Sequence, residues 1–126
     1  AVNHRSTSWA IEDLAGISDE TVANQSQYFK AALAQRGHGQ GDEVNNRDLP
    51  AYTIRANSRS RVQFHYELPR RLTVRECARI QTFPDNFIFP DETTPSIRQI
   101  SNAVPPVLAH AIAQHITNYL NELSET

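Results

Sequence analysis

The hydrophobic pattern of this 126-residue chain is clearest toward its C-terminal end. Apolar residues recur there every three or four positions, at Leu108, Ile112, Ile116, Tyr119 and Leu123. This is the spacing of one helical face, and His115 lies on the same stripe or its flank. Pro105 and Pro106 precede the stripe, where a first helical turn does not need the missing N–H. The pattern predicts a long amphipathic helix from these prolines toward Leu123.

A second, shorter helix is predicted after residue 72 by its capping signals. Thr73 stands three residues before Glu76, which is the spacing of a capping box. Leu72 precedes the cap and can pack on Cys77 in the first turn. Val74, Cys77, Ala78 and Gln81 fall on one face, and Arg75 and Arg79 fall on the other. Phe83-Pro84 should end the helix, because proline pushes the preceding residue out of the α region.

The middle of the chain has the alternation expected of strands. Residues 52–55 and 61–66 are rich in β-branched and aromatic side chains, and 56–60 between them are small and polar. This pattern predicts a β-hairpin. Earlier, residues 9–14 suit a short helix capped by Ser8, and 24–35 suit a second helix. Residues 91–96 read as a loop. The expected class is therefore α+β: short helices, a small hairpin, a capped helix and a long terminal helix.

Composition narrows the function classes. The formal net charge is only −2, but seven arginines and two glutamates lie between Thr53 and Arg79, a local charge of +5. Such a block marks either a face for phosphate or a solvated surface. The single cysteine excludes an internal disulfide and suits a reducing compartment. No apolar run of about 18 residues exists to span a membrane. The first residue is Ala1 rather than methionine, which favours a fragment or a cleaved piece.

The glycine-rich segment Gly37-His38-Gly39-Gln40-Gly41 is a weak candidate for a phosphate loop. A dinucleotide fingerprint needs a buried strand before it and a helix after it. Here the predicted helix precedes the glycines, and Asp42-Glu43 would repel a phosphate. The segment is interpreted as a loop, with His38 a loop or DNA-facing residue rather than a base.

Two stretches carry a family resemblance. Residues 70–85, Arg-Arg-Leu-Thr-Val-Arg-Glu-Cys-Ala-Arg-Ile-Gln-Thr-Phe-Pro-Asp, resemble the ninth conserved motif of the DNA cytosine-5 methyltransferases. Residues 98–106, Arg-Gln-Ile-Ser-Asn-Ala-Val-Pro-Pro, resemble the tenth. Both are long and stand in the family's order. The resemblance implies the C-terminal part of an enzyme of the bacterial restriction-modification type. Such an enzyme would be cytoplasmic and encoded by a bacterium or a phage.

The resemblance also implies an organisation. Residues 1–126 would form one C-terminal domain of a larger Rossmann-like methyltransferase dependent on S-adenosylmethionine. Within it, 20–68 would be the target-recognition region, 69–90 the ninth-motif helix, and 98–123 the tenth motif with the terminal helix. The implied partners are double-stranded DNA and the N-terminal catalytic domain or subunit, with no membrane.

The residues that perform the family's chemistry are missing from this sequence. The family attacks C6 of a flipped cytosine with a cysteine in a Pro-Cys pair, and this chain has no Pro-Cys. The Phe-x-Gly-x-Gly, Glu-Asn-Val and Gln-x-Arg-x-Arg motifs are also absent. We therefore expect no catalytic residue and no metal ligand here, and a structural role for Cys77.

The resemblance transfers two sets of site residues. Asn102 and Ala103, with Ser101, match positions that line the S-adenosylmethionine pocket, most of which the missing catalytic domain would form. Ser101 replaces the usual glycine, which would cost about 1 kcal/mol if that backbone needs a positive φ. Thr53 matches a threonine beside the extruded cytosine. Thr53 and its polar neighbours are the DNA-binding candidates: Thr53, Arg55, Asn57, Ser58, Arg59 and Arg61.

Two other interpretations remain open from the sequence. The arginine block alone favours a non-catalytic DNA-binding module. The serine at 101 and the missing catalytic motifs favour a regulatory interaction domain. The methyltransferase interpretation rests on two long motifs in order and is the stronger.

Overall fold

The computed structural model describes residues 3–30, 42–55, 62–90 and 92–125. The helices within these ranges are α1 (Thr7–Ile11), α2 (Val74–Ile80), α3 (Thr93–Asn102) and α4 (Pro106–Ser124), and a 3₁₀ helix, Glu12–Leu14, continues α1. Helix α2 packs against both α1 and α3. The core includes apolar residues from all three helices and from the segments between them: Ile11, Leu14, Ile54, Val62, Leu72, Val74, Cys77, Ala78, Phe89, Ile97 and Ile100.

The N-terminus of α2 is fully satisfied. The Thr73 hydroxyl accepts the Glu76 N–H at 3.0 Å, and the Glu76 carboxylate accepts the Thr73 N–H at 2.9 Å. This is the predicted capping box, and it is confirmed. The next two free amides, of Val74 and Arg75, bond to backbone carbonyls of the 24–27 segment at 2.8 and 3.2 Å.

That use of the 24–27 carbonyls explains why one predicted helix is wrong. The described part of the predicted 24–35 helix, residues 24–30, is not helical. Asn24 has a φ of 70°, a left-handed conformation that does not continue an α-helix. The segment instead turns its backbone oxygens toward α2.

The C-terminus of α2 comes earlier than the proline signal predicted. The helix ends at Ile80, and Thr82 takes a φ of 70°. The N–H of Phe83 bonds to the Ala78 carbonyl at 2.8 Å and that of Thr82 to the Arg79 carbonyl at 2.9 Å. These two bonds form a Schellman motif, which satisfies the last helical carbonyls.

The predicted hairpin is corrected. The described residues contain no β-strand, and the α+β class gives way to helices joined by extended segments. Phe64 forms isolated bridges to Val44 and to Arg71 instead of a ladder with 52–55. Segment 62–65 therefore runs between two chain segments and is buried on both sides. Its alternation carried no information about an exposed face, because Gln63 and His65 are as buried as Val62 and Phe64.

The remaining boundaries differ in smaller ways. Ser6, not Ser8, caps α1, since its hydroxyl accepts the Trp9 N–H at 3.1 Å. The loop predicted over 91–96 contains the first turn of α3, where Pro95 is tolerated because it replaces an N–H that needs no intrahelical partner. Helix α4 occupies the range predicted for it, yet none of its described residues is buried.

Candidate nucleic-acid and cofactor interface

The segment 52–55 presents two of the predicted DNA-binding residues to solvent. Thr53 and Arg55 are exposed, whereas Ile54 between them is only 6% exposed and belongs to the core. An extended chain points successive side chains in opposite directions, so burying Ile54 turns its neighbours outward. The other candidates, Asn57, Ser58, Arg59 and Arg61, lie outside the described residues, as does the glycine-rich segment with His38.

Two buried amide side chains hold this segment. The Gln63 amide nitrogen donates to the Thr53 carbonyl at 2.8 Å. The Asn45 amide oxygen accepts the Tyr52 N–H at 3.1 Å, and its nitrogen donates to the Phe64 carbonyl at 3.0 Å. Gln63 and Asn45 are 2% and 3% exposed. Neither was predicted, because no local pattern distinguishes a buried amide from a surface one.

Arg75 is the largest departure from the predicted surface. It was assigned to the exposed face of α2, but it is 0% exposed. Its guanidinium donates to four oxygens: Ala23 O at 2.8 Å, Pro84 O at 3.1 Å, Asn24 Oδ1 at 3.2 Å and Phe87 O at 2.7 Å. Burial lowers the pKa of this guanidinium from its ordinary value. Arg75 therefore ties α2 to two loops and is not available to DNA.

The other arginines of the ninth motif are paired with acids of the same chain. Arg70 makes a bidentate pair with Glu76, at 2.7 and 3.0 Å. The remaining pairs are Arg71 with Asp42 at 3.1 Å, and Arg79 with both Asp85 and Asp13. The local charge of +5 therefore overstates the positive charge that a phosphate could contact.

The three tenth-motif residues lie where α3 ends. Ser101 and Asn102 are the last residues of α3, and Ala103 follows in an extended conformation. Asn102 is exposed, and Ser101 and Ala103 are half-buried. Ser101 is helical, and the described positive-φ residues other than glycine are Asn24 and Thr82. The serine therefore carries no backbone strain at this position.

The ninth motif holds the tenth. The Gln81 amide nitrogen donates to the Ala103 carbonyl at 2.9 Å, and the Thr82 hydroxyl accepts the Val107 N–H at 3.1 Å. These two bonds join the residues that follow α2 to the end of α3 and to the first turn of α4. Asn102 is thus exposed beside the half-buried Ala103 at the end of α3.

Cys77 has the environment of a structural cysteine. It is fully buried in the core of α2, and burial raises the pKa of its thiol. A thiolate nucleophile needs the opposite, a lowered pKa and access to substrate. Across the described ranges, no three His, Cys, Asp or Glu side chains gather as a metal site would require. None of the helices described has the length and apolar character needed to cross a membrane.

Helix α4 exposes the whole apolar stripe that the sequence predicted. Seven large apolar residues are between 50% and 57% exposed: Val107, Leu108, Ile112, Ile116, Tyr119, Leu120 and Leu123. A contiguous apolar face of this length usually marks an interaction surface. In the described part of the chain nothing covers it.

Comparison with known proteins assigns the family. The profile of the C-5 cytosine-specific DNA methylases matches residues 3–118. Type II methyltransferase M1.HphI of Haemophilus parahaemolyticus is 45% identical over 69 residues, which are 55% of this chain and 18% of that protein. Type II methyltransferase M.DsaV of Dactylococcopsis salina is 36% identical over 101 residues, 75% of this chain and 29% of that protein.

A third relative matches this chain over a shorter stretch. DNA (cytosine-5)-methyltransferase 2 of Arabidopsis thaliana is 51% identical over 57 residues, which are 45% of this chain and 4% of that protein. The chain thus spans less than a third of the length of each of these three relatives. With the profile match over most of its length, the chain belongs to the C-5 cytosine-specific DNA methylase family.

Proposed function

We propose that this chain is the C-terminal target-recognition portion of a DNA cytosine-5 methyltransferase of the bacterial restriction-modification type. In this proposal 20–68 form the recognition region, 69–90 the ninth-motif helix, and 98–123 the tenth motif with α4. The complete enzyme moves a methyl group from S-adenosylmethionine to C5 of a cytosine flipped out of duplex DNA. The chain alone is inactive, because this sequence has no Pro-Cys pair.

The observation that carries the proposal is the apolar face of α4. A helix with a stripe of exposed Leu, Ile and Tyr side chains is stabilised by packing on a partner surface. A self-sufficient DNA-binding module has no need of such a face. The proposed partner is the Rossmann-like catalytic part of the methyltransferase, either a domain or a separate subunit.

The position of α4 relative to the tenth motif supports the same partner. Gln81 and Thr82 fix the turn between α3 and α4 to the ninth-motif helix. When α4 packs on the catalytic part, Asn102 and Ala103 come with it and line one side of the S-adenosylmethionine pocket. The cofactor supplies the methyl group. Asn102 offers an amide donor and acceptor to it, and Ala103 allows close approach of a ligand.

The proposed DNA-facing surface is built from the exposed residues of 52–55 and the polar residues that follow. Arg55, Arg59 and Arg61 would contact phosphate or guanine, Asn57 and Ser58 would contact bases or backbone, and Thr53 would lie beside the extruded nucleotide. The arginines of the ninth motif are excluded from this role by their internal pairs.

Methyl transfer tests the proposal directly. The chain alone should incorporate no tritiated methyl group into DNA above a blank without protein. Adding a polypeptide that carries the Phe-x-Gly-x-Gly, Pro-Cys and Glu-Asn-Val motifs should restore incorporation. We call this reconstituted protein the complete enzyme. Incorporation by the chain alone, or no incorporation by the complete enzyme, would contradict the proposal.

Salt dependence tests the DNA-facing surface. Removing an arginine that contacts only phosphate should reduce the slope of log K against log salt by about 1 and weaken all sequences alike. Removing one that reads a base should cost about 1–3 kcal/mol on the recognised sequence alone. Arg55→Ala, Arg59→Ala and Arg61→Ala are each compared with Arg5→Ala. Arg5 is the matched control because it is exposed outside the recognition region and stacks on Trp9.

A further inference from the structure

We infer that Gln63 is a positioning residue for Thr53, and that it acts by holding the Thr53 carbonyl through its buried amide. The inference rests on the proposed function, since it assumes that Thr53 faces the extruded nucleotide. It assigns a role in the reaction to a side chain that touches neither DNA nor cofactor.

Three contacts hold the backbone of residues 52–54, and we call this set of contacts the mount. The Ile54 side chain is buried in the core, the Tyr52 N–H bonds to the Asn45 amide oxygen at 3.1 Å, and the Thr53 carbonyl bonds to the Gln63 amide nitrogen at 2.8 Å. These fix the backbone before, at and after the exposed Thr53 side chain. An exposed extended segment outside a sheet otherwise has no ladder to hold it.

The mount is itself attached to the ninth-motif segment. The Leu72 N–H bonds to the Gln63 carbonyl at 3.0 Å, and Leu72 immediately precedes the Thr73 cap of α2. The path from Thr53 to α2 therefore consists of one side-chain hydrogen bond and one backbone hydrogen bond. Gln63 is the residue common to both.

The second amide atom of Gln63 argues that the residue is not there for stability. Its Oε1 is buried and has no hydrogen-bond partner among the described residues. An unpaired buried oxygen is destabilising, so an unbranched apolar side chain of similar length would suit the site at least as well. The Thr53 residue is exposed, so water can solvate its carbonyl when the amide is removed. The amide's contribution is thus the position of Thr53.

The test is Gln63→Met in the complete enzyme, with Gln25→Met as the matched control. Gln25 is also a buried glutamine, 1% exposed. Its amide nitrogen donates to the Leu14 and Ile17 carbonyls and its oxygen accepts the Thr73 hydroxyl, and none of these partners lies in 52–55. Gln63→Met should lower kcat about tenfold to a hundredfold, the range for a misplaced group, and leave KM for S-adenosylmethionine unchanged. Gln25→Met should destabilise the fold more, with kcat near that of the wild type.

A mispaired substrate separates positioning from general damage. The DNA probe is a duplex with the sequence that the wild-type enzyme methylates, prepared with the target cytosine paired or mispaired. A mispaired base costs less to extrude. It should therefore recover much of the kcat lost in Gln63→Met. Equal losses in both variants, an unchanged kcat in Gln63→Met, or no recovery on the mispaired duplex would overturn the inference.

Failure of the proposed function can be distinguished from failure of the inference about Gln63. If the wild-type complete enzyme does not methylate DNA, the proposed function fails. Amide exchange then still tests the mount in the chain itself. Exchange over 52–55 should be faster in Gln63→Met than in Gln25→Met, and equal exchange in the two variants would overturn the inference on its own.

Discussion

Helices α2 and α4 reverse the usual distribution of polar and apolar side chains. Of the seven residues of α2, five are buried, and they include Arg75 and Glu76. Of the nineteen described residues of α4, none is buried, although its stripe is rich in Leu and Ile. The charged short helix is the centre of the fold, and the apolar long helix is its surface.

The two helices differ in where their stabilising contacts come from. Helix α2 satisfies its charges within the chain, since Arg75 reaches four oxygens and Glu76 receives both Arg70 and the Thr73 N–H. Buried charges are tolerated when they are fully hydrogen-bonded. Helix α4 has apolar surface in place of such internal bonds, so its stability in the complete enzyme depends on what covers it.

The largest effect on this comparison is expected from removing Arg75. Arg75→Met removes the donor to the Ala23 and Phe87 carbonyls and one of two donors to the Asn24 amide oxygen and the Pro84 carbonyl, and it should destabilise the chain by about 3 kcal/mol. The matched control is Arg79→Met, because Arg79 donates to the exposed carboxylates of Asp13 and Asp85 and to one backbone carbonyl, of Ala10, so its loss should cost less, about 1–2 kcal/mol. Urea unfolding of both variants measures the difference. Equal losses would show that Arg75 is not the tie we describe.

The apolar face of α4 should behave in the opposite way. Ile112→Glu and Ile116→Glu should change the stability of the chain by no more than about 0.5 kcal/mol, because both side chains are already half exposed. They should weaken binding to the catalytic polypeptide by about 2 kcal/mol or more, roughly 30-fold in Kd. Gln114→Glu, an added charge elsewhere on α4, is the control and should bind normally. Titration calorimetry and urea unfolding together decide the matter.

A pH effect is expected from His65, which packs beside Glu76. His65 is fully buried, its Nδ1 accepts the Glu67 and Leu68 N–H groups at 3.0 Å, and burial lowers its pKa. The nearby Glu76 carboxylate, 3.7 Å from Nε2, raises the pKa of His65. The positive charge of Arg70, which is paired with that carboxylate, lowers the pKa of His65. The folded state therefore favours the neutral imidazole.

The sign of the pH effect follows from that preference. Because the pKa of His65 is lower in the folded than in the unfolded state, the unfolded state binds more protons below the ordinary histidine pKa of about 6.5. Stability should be full well above that pH and fall as the pH decreases through it, by at most about 1.4 kcal/mol per pH unit. His65→Gln should flatten the profile of the unfolding free energy against pH. A flat wild-type profile would contradict the assignment.

These two helices also show what could be predicted from the sequence. The Thr73 capping box and the extent of α4 were predictable because they depend on residues within one or two helical turns. The burial of Arg75 was not, because its acceptors Ala23 and Asn24 are about fifty positions away in sequence. Helical periodicity places a residue on a face, and only the tertiary fold decides whether that face is covered.

The candidate site divides in the same way. Thr53, Arg55 and Asn102 are exposed, and the roles that the family motifs suggest for them stay predictions. The buried amides of Gln63 and Asn45 that hold the first of these positions were not expected. Alternation in 62–66 suggested a hairpin, since period-two patterns normally mark a half-buried strand. Burial between two neighbouring segments removes the exposed face on which that inference depends.

The smallest effect is expected at Thr82, where the two helices are joined. Thr82 follows α2 with a φ of 70°, and its hydroxyl accepts the Val107 N–H in the first turn of α4. A β-branched residue in the left-handed region is strained by about 1 kcal/mol. The strain and the hydroxyl can be separated by two substitutions. Thr82→Ala removes the hydroxyl and keeps a Cβ, whereas Thr82→Gly removes both.

Both variants lose the same hydrogen bond, so their difference reports the strain of a Cβ at positive φ, less the extra freedom of glycine in the unfolded chain. Thr82→Gly should be more stable than Thr82→Ala by about 1 kcal/mol in urea unfolding, since glycine adopts positive φ without steric cost. Amide exchange of Val107 should accelerate equally in both, because each lacks the acceptor. Equal stability of Gly and Ala would mean that Thr82 is unstrained. Unchanged exchange at Val107 would mean that the Thr82 hydroxyl does not protect this amide.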